Sequence, residues 1–301
     1  MPQKEDLTIC IKGKLIDFSS PKIMGIVNFT TDSFYEKSRW NIDGLKYADI
    51  IDIGGCSTRP GSTPIDKNQE KKQLSKGIEL LRQKYPNAII SVDTFRPSIA
   101  QWAVEEKGAD IINDVSGGMV NMFETAAKCN VPYILTYPEE GFSSDMIYFF
   151  SKKIEKLYSL GVNDIILDPG FGFNKTMEQN FEIAKNMDCL KCFNLPILVG
   201  ISRKSMIQHA TGTNANTALN GTTALNSFLL EKGANILRVH DTKEAQEVVN
   251  IFNEEIPLVV KGKCKYNLAS TIVEIKDKSV NIIREGIIKK EEIERLIKIC
   301  E

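Results

Sequence analysis

Residues 196–207 read PILVGISRKSMI. The apolar run of Ile197, Leu198 and Val199 stops at Gly200, and Ser202, Arg203, Lys204 and Ser205 follow at once. A short apolar run without polar alternation is what a parallel strand buried on both faces looks like. Two cations and two hydroxyls at its end suit an anion or a polar ring, because Arg offers a planar fork and Lys a point charge. A solvated charged turn has the same composition, so the reading rests on whether the pattern recurs along the chain. Short apolar segments at 22–27, 49–53, 88–92, 110–113, 133–136, 164–167, 197–200 and 235–239 show that it does. Between most of them lie amphipathic stretches, at 68–84, 97–107, 121–129, 145–160, 176–187, 216–232 and 243–253. Strand and helix alternating eight times over about 250 residues predict an α/β fold of the (β/α)8 TIM barrel type. Residues 7–17 alternate around Gly13 and read as an N-terminal hairpin.

The bulk numbers narrow the function classes. A chain of 301 residues with 42% apolar and 26% charged residues can bury a large core. The net charge of −1, with no basic stripe, argues against nucleic acid as a partner. No apolar run approaches the roughly 18 residues of a membrane span, and no membrane partner is expected. Seven scattered cysteines, an odd number, point to a reducing, cytoplasmic setting. Cys189 and Cys192 have metal or redox spacing, but no second pair or nearby histidine accompanies them.

In a barrel of this kind the chemistry sits at the carboxyl ends of the strands. Those positions hold Asn28, Thr31, Asp32 and Ser33, then Ser57, Thr58 and Arg59, then Asp93 and Thr94, then Asn113 and Asp114. Later ends supply Asp168 and Lys175, Ser202 to Ser205, and Arg238, His240 and Asp241. Asp241, Thr94 and Asp114 read at least as well as caps or core hydrogen bonds. The fifth strand differs, ending in Thr136, Tyr137 and Pro138.

Seven segments taken together, IMGIVNFTTDSFY (23–35), ADIIDIGGCSTRPGS (48–62), SVDT (91–94), ADIINDVSGG (109–118), ILDPGFGFNKT (166–176), VGISRKSMI (199–207) and ILRVHD (236–241), resemble the dihydropteroate synthase family. The resemblance spans roughly residues 8–254 and makes 1–254 a pterin-binding barrel. It implies that 4-aminobenzoate displaces diphosphate from a hydroxymethyl-dihydropterin diphosphate to give dihydropteroate for folate synthesis. By the same resemblance Asp93, Asn113, Asp168, Phe173 and Lys204 contact the pterin. Asn28, Arg238 and His240 serve the diphosphate, with Asn28 the ligand of a Mg²⁺ cofactor. Phe34, Thr58, Arg59, Pro60 and Ser205 face the aminobenzoate. Asp93, Lys204 and Arg238 carry the catalysis, and a homodimer is implied. Two other readings use a similar slot: a pterin-dependent methyltransferase, and a pterin-binding paralogue with impaired turnover. The STRPG and SRKS segments favour the synthase over the methyltransferase.

The chain departs from the family pattern in four places. Only 41–47, NIDGLKY, remain between the first active-site loop and the second strand. A strand of six residues spans about 20 Å and seven helical residues only about 10 Å, so a shortened first crossover is expected. That would leave apolar barrel wall for a partner subunit or the tail to cover. Thr136, Tyr137 and Pro138 replace a Met-His-Met run, with Tyr137 a candidate flat wall for the pterin slot. Cys56 stands where relatives carry an acid and reads as packing. Residues 255–301 form an appendage predicted as two strands around Asp277 and Lys278 followed by a helix over 289–299. Its wording is similar to the closing segment of threonylcarbamoyl-AMP synthases, from which no activity is carried over.

Overall fold

Lys12 and Gly13 both take positive φ, 50° and 77°, and form the two-residue turn that joins β1 (Thr8–Ile11) to β2 (Lys14–Asp17). Positive φ at both central positions matches the twist of an antiparallel pair, and glycine adopts it without steric cost. The computed structural model describes residues 7–29, 42–56, 65–119, 121–140, 144–253, 271–276, 279–284, 288–293 and 295. The chain divides into two compact units, Met1–Glu254 and Glu255–Glu301.

Eight parallel strands make up the first unit: β3 (Lys22–Asn28), β4 (Ile50–Gly54), β5 (Ile89–Asp93), β6 (Ile111–Asp114), β7 (Tyr133–Thr136), β8 (Ile165–Asp168), β9 (Leu198–Val199) and β10 (Ile236–Val239). They are hydrogen-bonded in the order β8-β7-β6-β5-β4-β3-β10-β9, and a parallel bridge between Leu167 and Ile197 joins the two ends. The predicted barrel is therefore present. Around it run α1 (Lys67–Lys84), α2 (Pro97–Glu105), α3 (Met122–Cys129), α4 (Ser144–Ser159), α5 (Met177–Asn186), α6 (Ser205–Thr211), α7 (Leu219–Glu231) and α8 (Thr242–Asn253).

The strands that look uniformly apolar carry two different faces, because side chains alternate with period two. Ile23, Ile51, Ile53, Ile90, Val92, Ile112, Leu135, Ile165, Leu167, Val199 and Leu237 join the buried cluster that also holds the helix side chains. A second cluster contains Met24, Ile50, Ile111, Ile134, Ile166, Leu198 and Ile236, the residues of the opposite face. Ile9, Ile11 and Phe18 of the hairpin segment belong to this second cluster. The hairpin thus plugs the amino-terminal end of the barrel, and Cys10 N–H donates to Asp164 Oδ1 at 2.6 Å to hold it there. Two residues further along β4, β6, β7, β8 and β10 the inner face turns polar, with Asp52, Asn113, Thr136, Asp168 and Arg238.

The first crossover carries a structural surprise. Its described part is a single 3-10 turn, Asp43–Leu45, which agrees with the expected shortening. Among the described residues the expected apolar gap over β3 is filled. Leu45 is buried in the same cluster as Ile23, Val27, Ile51 and Ile53. Gly25 makes this possible, since a Cβ there would lie 2.7 Å from Leu45 Cδ2 and 3.0 Å from Ala48 Cβ. Without that Cβ the turn lies directly on the strand and does the covering of a helix. Tyr85 Oη donates to Ile42 O at 2.9 Å, Thr242 Oγ1 donates to Gly44 O, and Lys84 pairs with Asp43.

In the second unit β11 (Ile272–Lys276) and β12 (Ser279–Arg284) pair antiparallel, and a helix begins at Lys290. The expected turn at Asp277 and Lys278 and most of the expected helix lie outside the described residues.

Candidate active site at the carboxyl end of the barrel

Arg238 is the organising cation. Its Nε donates to Asp52 Oδ2 at 2.7 Å, and its Nη2 reaches Asp52 Oδ2 at 2.6 Å and Asp93 Oδ2 at 2.8 Å. Asn113 Nδ2 donates to the same Asp52 oxygen at 3.1 Å. The partners come from β4, β5, β6 and β10, each on the inner face just above the apolar plug. Asp52 Oδ1, Asp93 Oδ1, Asn113 Oδ1 and Ser91 Oγ are buried without a hydrogen-bond partner among the described residues. Asn113 Oδ1 can only accept, and the carboxylate oxygens of Asp52 and Asp93 accept when ionised, so the site offers a row of buried acceptors to an incoming donor edge.

Burial pushes the Asp93 carboxyl up to about 7; Arg238 opposes the rise, and Asp52, Glu70 and Asp114 reinforce it. Two acids held on one guanidinium cannot both ionise freely. Burial works against the Arg238 charge, but the neighbouring Asp52 and Asp93 outweigh it and raise the Arg238 pKa.

Across the mouth, Asp168 accepts from Gly170 N at 2.8 Å and from Thr136 Oγ1 at 3.4 Å. Burial raises its pKa against the pull of Lys204, the Gly170 amide, Arg238 and Lys175. Lys204 donates to Phe171 O, and its Nζ sits 4.9 Å from the centre of the Phe173 ring. Burial brings Lys204 down to about 8, with Asp168 as the main opposing charge. Lys175 is likewise held near 8 by burial and donates to Tyr137 O at 3.2 Å and Phe173 O at 3.0 Å. Gly170 has φ of 71°, and a Cβ there would lie 2.0 Å from Tyr137 O. Glycine is what lets the loop after β8 fold beneath Asp168.

Asn28 ends β3 with its Oδ1 beside Gly54, where a Cβ would sit 3.2 Å away. His240 follows β10 and contacts Ser202, while Ser205 is exposed at the start of α6. Phe34, Thr58, Arg59 and Pro60 lie outside the described residues. Among the described residues no three His, Cys, Asp or Glu side chains are grouped to hold a metal. An amide oxygen such as Asn28 Oδ1 suits Mg²⁺ as one protein ligand when phosphate oxygens complete the shell.

Several strand-end residues prove structural. Arg203, at φ of 56° and 3% exposed, forks onto Asp241 at 2.7 and 2.9 Å and donates to the carbonyls of Ala215 and Asn216. That clamp holds a strained residue between Ser202 and Lys204. Asp114 accepts from the Ser116 and Gly118 amides at 2.9 and 3.0 Å. Thr94 donates to Glu70 Oε1 at 2.8 Å, and Glu70 also pairs with Arg96. Tyr137 does not form a slot wall: it is buried against Phe149 and Phe150, with ring centres 5.2 and 6.2 Å away. The preceding residue, Thr136, is the one that reaches Asp168. Cys56 is buried, as expected for packing. Cys189 lies in the 3-10 segment Met187–Phe193, and burial, then Cys192, raise its thiol pKa, the reverse of an activated cysteine.

Asp52 escapes a reading confined to strand ends. The available signal was an acid inside the apolar run IIDIG and its period-two spacing from Gly54.

The geometry can be set beside known proteins. The sequence profile of the pterin binding enzyme family matches residues 24–240. Dihydropteroate synthase of Streptococcus pyogenes is 35% identical over 263 residues, which cover 80% of this chain and 98% of that protein. The folic acid synthesis protein fol1 of Pneumocystis carinii is 37% identical over 282 residues, 81% of this chain, and the chain spans 38% of that longer protein. The crystal structure of Xanthomonas albilineans dihydropteroate synthase with 4-aminobenzoic acid matches with a TM-score of 0.75 at 28% identity, covering 82% of this chain and 97% of that one. Acids, amide and cations from separate strands meet at one barrel mouth, and that mouth lies within the matched region; the chain belongs to the pterin-binding enzymes, among the dihydropteroate synthases.

Proposed function

We propose that this chain joins 4-aminobenzoate to 6-hydroxymethyl-7,8-dihydropterin diphosphate, giving 7,8-dihydropteroate and diphosphate. The observation that carries the reading is the set of unpartnered buried acceptors on Asp93 and Asn113 beside the Asp168 carboxylate. A pterin edge is rich in N–H donors and would satisfy atoms that otherwise stay buried unpaired at a cost of about 1–3 kcal/mol each. Asp168, Asn113, Asp93 and Lys204 hold the ring in this reading, and Phe173 covers one face.

The reacting bond joins the pterin methylene carbon to the diphosphate oxygen. As it breaks, its electron pair leaves with the diphosphate, and the carbon gains positive character that ionised Asp93 can face. Arg238 Nη1 has no partner among the described residues, so it can donate to the departing oxygens while Nε and Nη2 stay anchored. His240 assists from the neighbouring position. Mg²⁺, held by Asn28, would supply further neutralisation of diphosphate charge when bound. The aniline nitrogen then forms the new bond and sheds a proton, needing position more than a strong base. Phe34, Thr58, Arg59, Pro60 and Ser205 take the aminobenzoate side.

The reading extends to a homodimer in the cytoplasm. Phe228 on α7 and Ile251 and Phe252 on α8 are exposed apolar residues that support self-association, and light scattering checks it. The odd number of scattered cysteines supports a reducing compartment. No helix among the described residues is long and apolar enough to cross a membrane. Diphosphate release, followed with Mg²⁺ present and with or without 4-aminobenzoate, tests the activity. Release that requires the amine is expected, whereas tight pterin diphosphate binding without release would leave only a binding protein.

A further inference from the structure

Ser202 and His240 meet through two contacts rather than one. The His240 backbone N–H donates to Ser202 Oγ at 3.2 Å, and Ser202 Oγ lies 3.0 Å from His240 Nδ1. The backbone amide can only donate, so Ser202 Oγ is already an acceptor there. The hydroxyl keeps one hydrogen to give. Ser202 is 3% exposed, and among the described residues Nδ1 is the acceptor within reach of that hydrogen. If Nδ1 carried the proton instead, Oγ would face two donors and its own hydrogen would be buried unpaired. Buried polar hydrogens are rarely left so. The hydrogen bond at one ring nitrogen decides which nitrogen bears the proton.

We propose that Ser202 is a positioning residue that locks His240 as its neutral Nε2–H tautomer. The consequence rests on the reading that places His240 at the diphosphate. Phosphate oxygens only accept, so an Nε2–H offers them a donor, and the opposite tautomer would offer them a lone pair.

The chain contains two histidines, His209 and His240, which makes the tautomer directly observable. His209 is exposed on α6, and the H209Q variant leaves His240 as the sole imidazole. Long-range proton–nitrogen correlation spectra of the ligand-free H209Q protein, taken with the ring neutral, should show one species with Nδ1 bare and Nε2 protonated. Adding S202A should shift Nδ1 toward a mixed-tautomer average, and S202T, which restores the hydroxyl, should shift it back. Protonated Nδ1 in the H209Q protein would overturn the proposal whether or not S202A folds, and so would an S202A spectrum identical to its parent. S202A should also lose affinity for the pterin diphosphate about tenfold, the scale of one modest hydrogen bond, with binding of the diphosphate-free pterin unchanged. The expected tautomer combined with undiminished pterin diphosphate affinity would uphold the lock and remove His240 from the diphosphate site.

Discussion

Arg238 lies between Asp52 and Asp93, which makes it an anchor and, in the proposed function, also a group that meets the ligand. Removing it leaves two buried carboxylates without their cation, a type of loss that costs about 3–5 kcal/mol. Arg238→Ala should therefore lower the urea midpoint as well as weaken diphosphate-dependent affinity by roughly 2–5 kcal/mol. Lys204→Ala, which empties no such pair, should mainly weaken pterin binding, and calorimetry on ligands with and without the diphosphate separates the two. Wild-type affinity in both variants would remove these residues from the site. Asp93 gives a pH test. Its carboxyl holds its proton up to about 7 in the folded chain against an ordinary value of 3.8. The folded state binds that proton more tightly, so this contribution to stability is complete below 3.8 and is lost as pH rises through 7. Asp93→Asn should flatten that part of the stability–pH curve, read from denaturant midpoints. Lys204 runs the other way for binding: with its pKa near 8, the cation is shed above that pH and pterin affinity should fall there. Lys204→Met should lack that alkaline limb.

At the scale of elements, the first crossover shows how a short connection can replace a helix. Gly25 lets Leu45 and Ala48 sit against β3, and Thr242 and Tyr85 hold the backbone of the turn from α8 and the end of α1. Gly25→Ala puts a methyl 2.7 Å from Leu45 Cδ2, and overpacking of this kind typically costs about 1–3 kcal/mol. Leu45→Ala should cost about 2–5 kcal/mol by opening a cavity over the strand. Both are measurable by equilibrium unfolding, and a neutral Leu45→Ala would mean that the turn covers nothing. The shortening could be counted from residues 41–47, but its remedy could not, since it depends on which face of β3 Gly25 occupies. Thr136 and Tyr137 teach the same lesson. A one-residue difference in register sends Tyr137 into Phe149 and Phe150 and leaves Thr136 beside Asp168.

For the whole molecule, the barrel is stacked in layers along its axis. The hairpin residues Ile9, Ile11 and Phe18 cap a layer of Ile, Leu and Met side chains, and the polar layer of Asp52, Asn113, Asp168 and Arg238 rests on it. A dry floor keeps these charges strongly coupled, because screening by water is weak there. Deleting the hairpin should unfloor the site; Ile9→Ala and Ile11→Ala should lower stability by about 2–5 kcal/mol each. The family match ends at 240 and the first unit at Glu254. A chain ending at Asn253 is accordingly expected to unfold cooperatively and to bind the pterin diphosphate, as circular dichroism and calorimetry would show. Loss of either property would assign residues 255–301 a part in the barrel's stability.

Local patterning by itself determined the barrel, its strand and helix order and most of its mouth, because an apolar run ending in polar residues is legible wherever it recurs. It placed Asp93, Asn113, Asp168, Lys204 and Arg238 at or just after the ends of strands, where the structure also has them. Only the tertiary structure decided which acid each cation holds, since those pairings join residues up to 186 apart in sequence, as Asp52 and Arg238 show. The same holds for the opening stretch: PILVGISRKSMI announces a cationic strand end, yet only the fold turns Arg203 back to Asp241 and leaves Lys204 over Phe173. Side-chain direction is set by backbone conformation and by what packs opposite, and a linear sequence states neither.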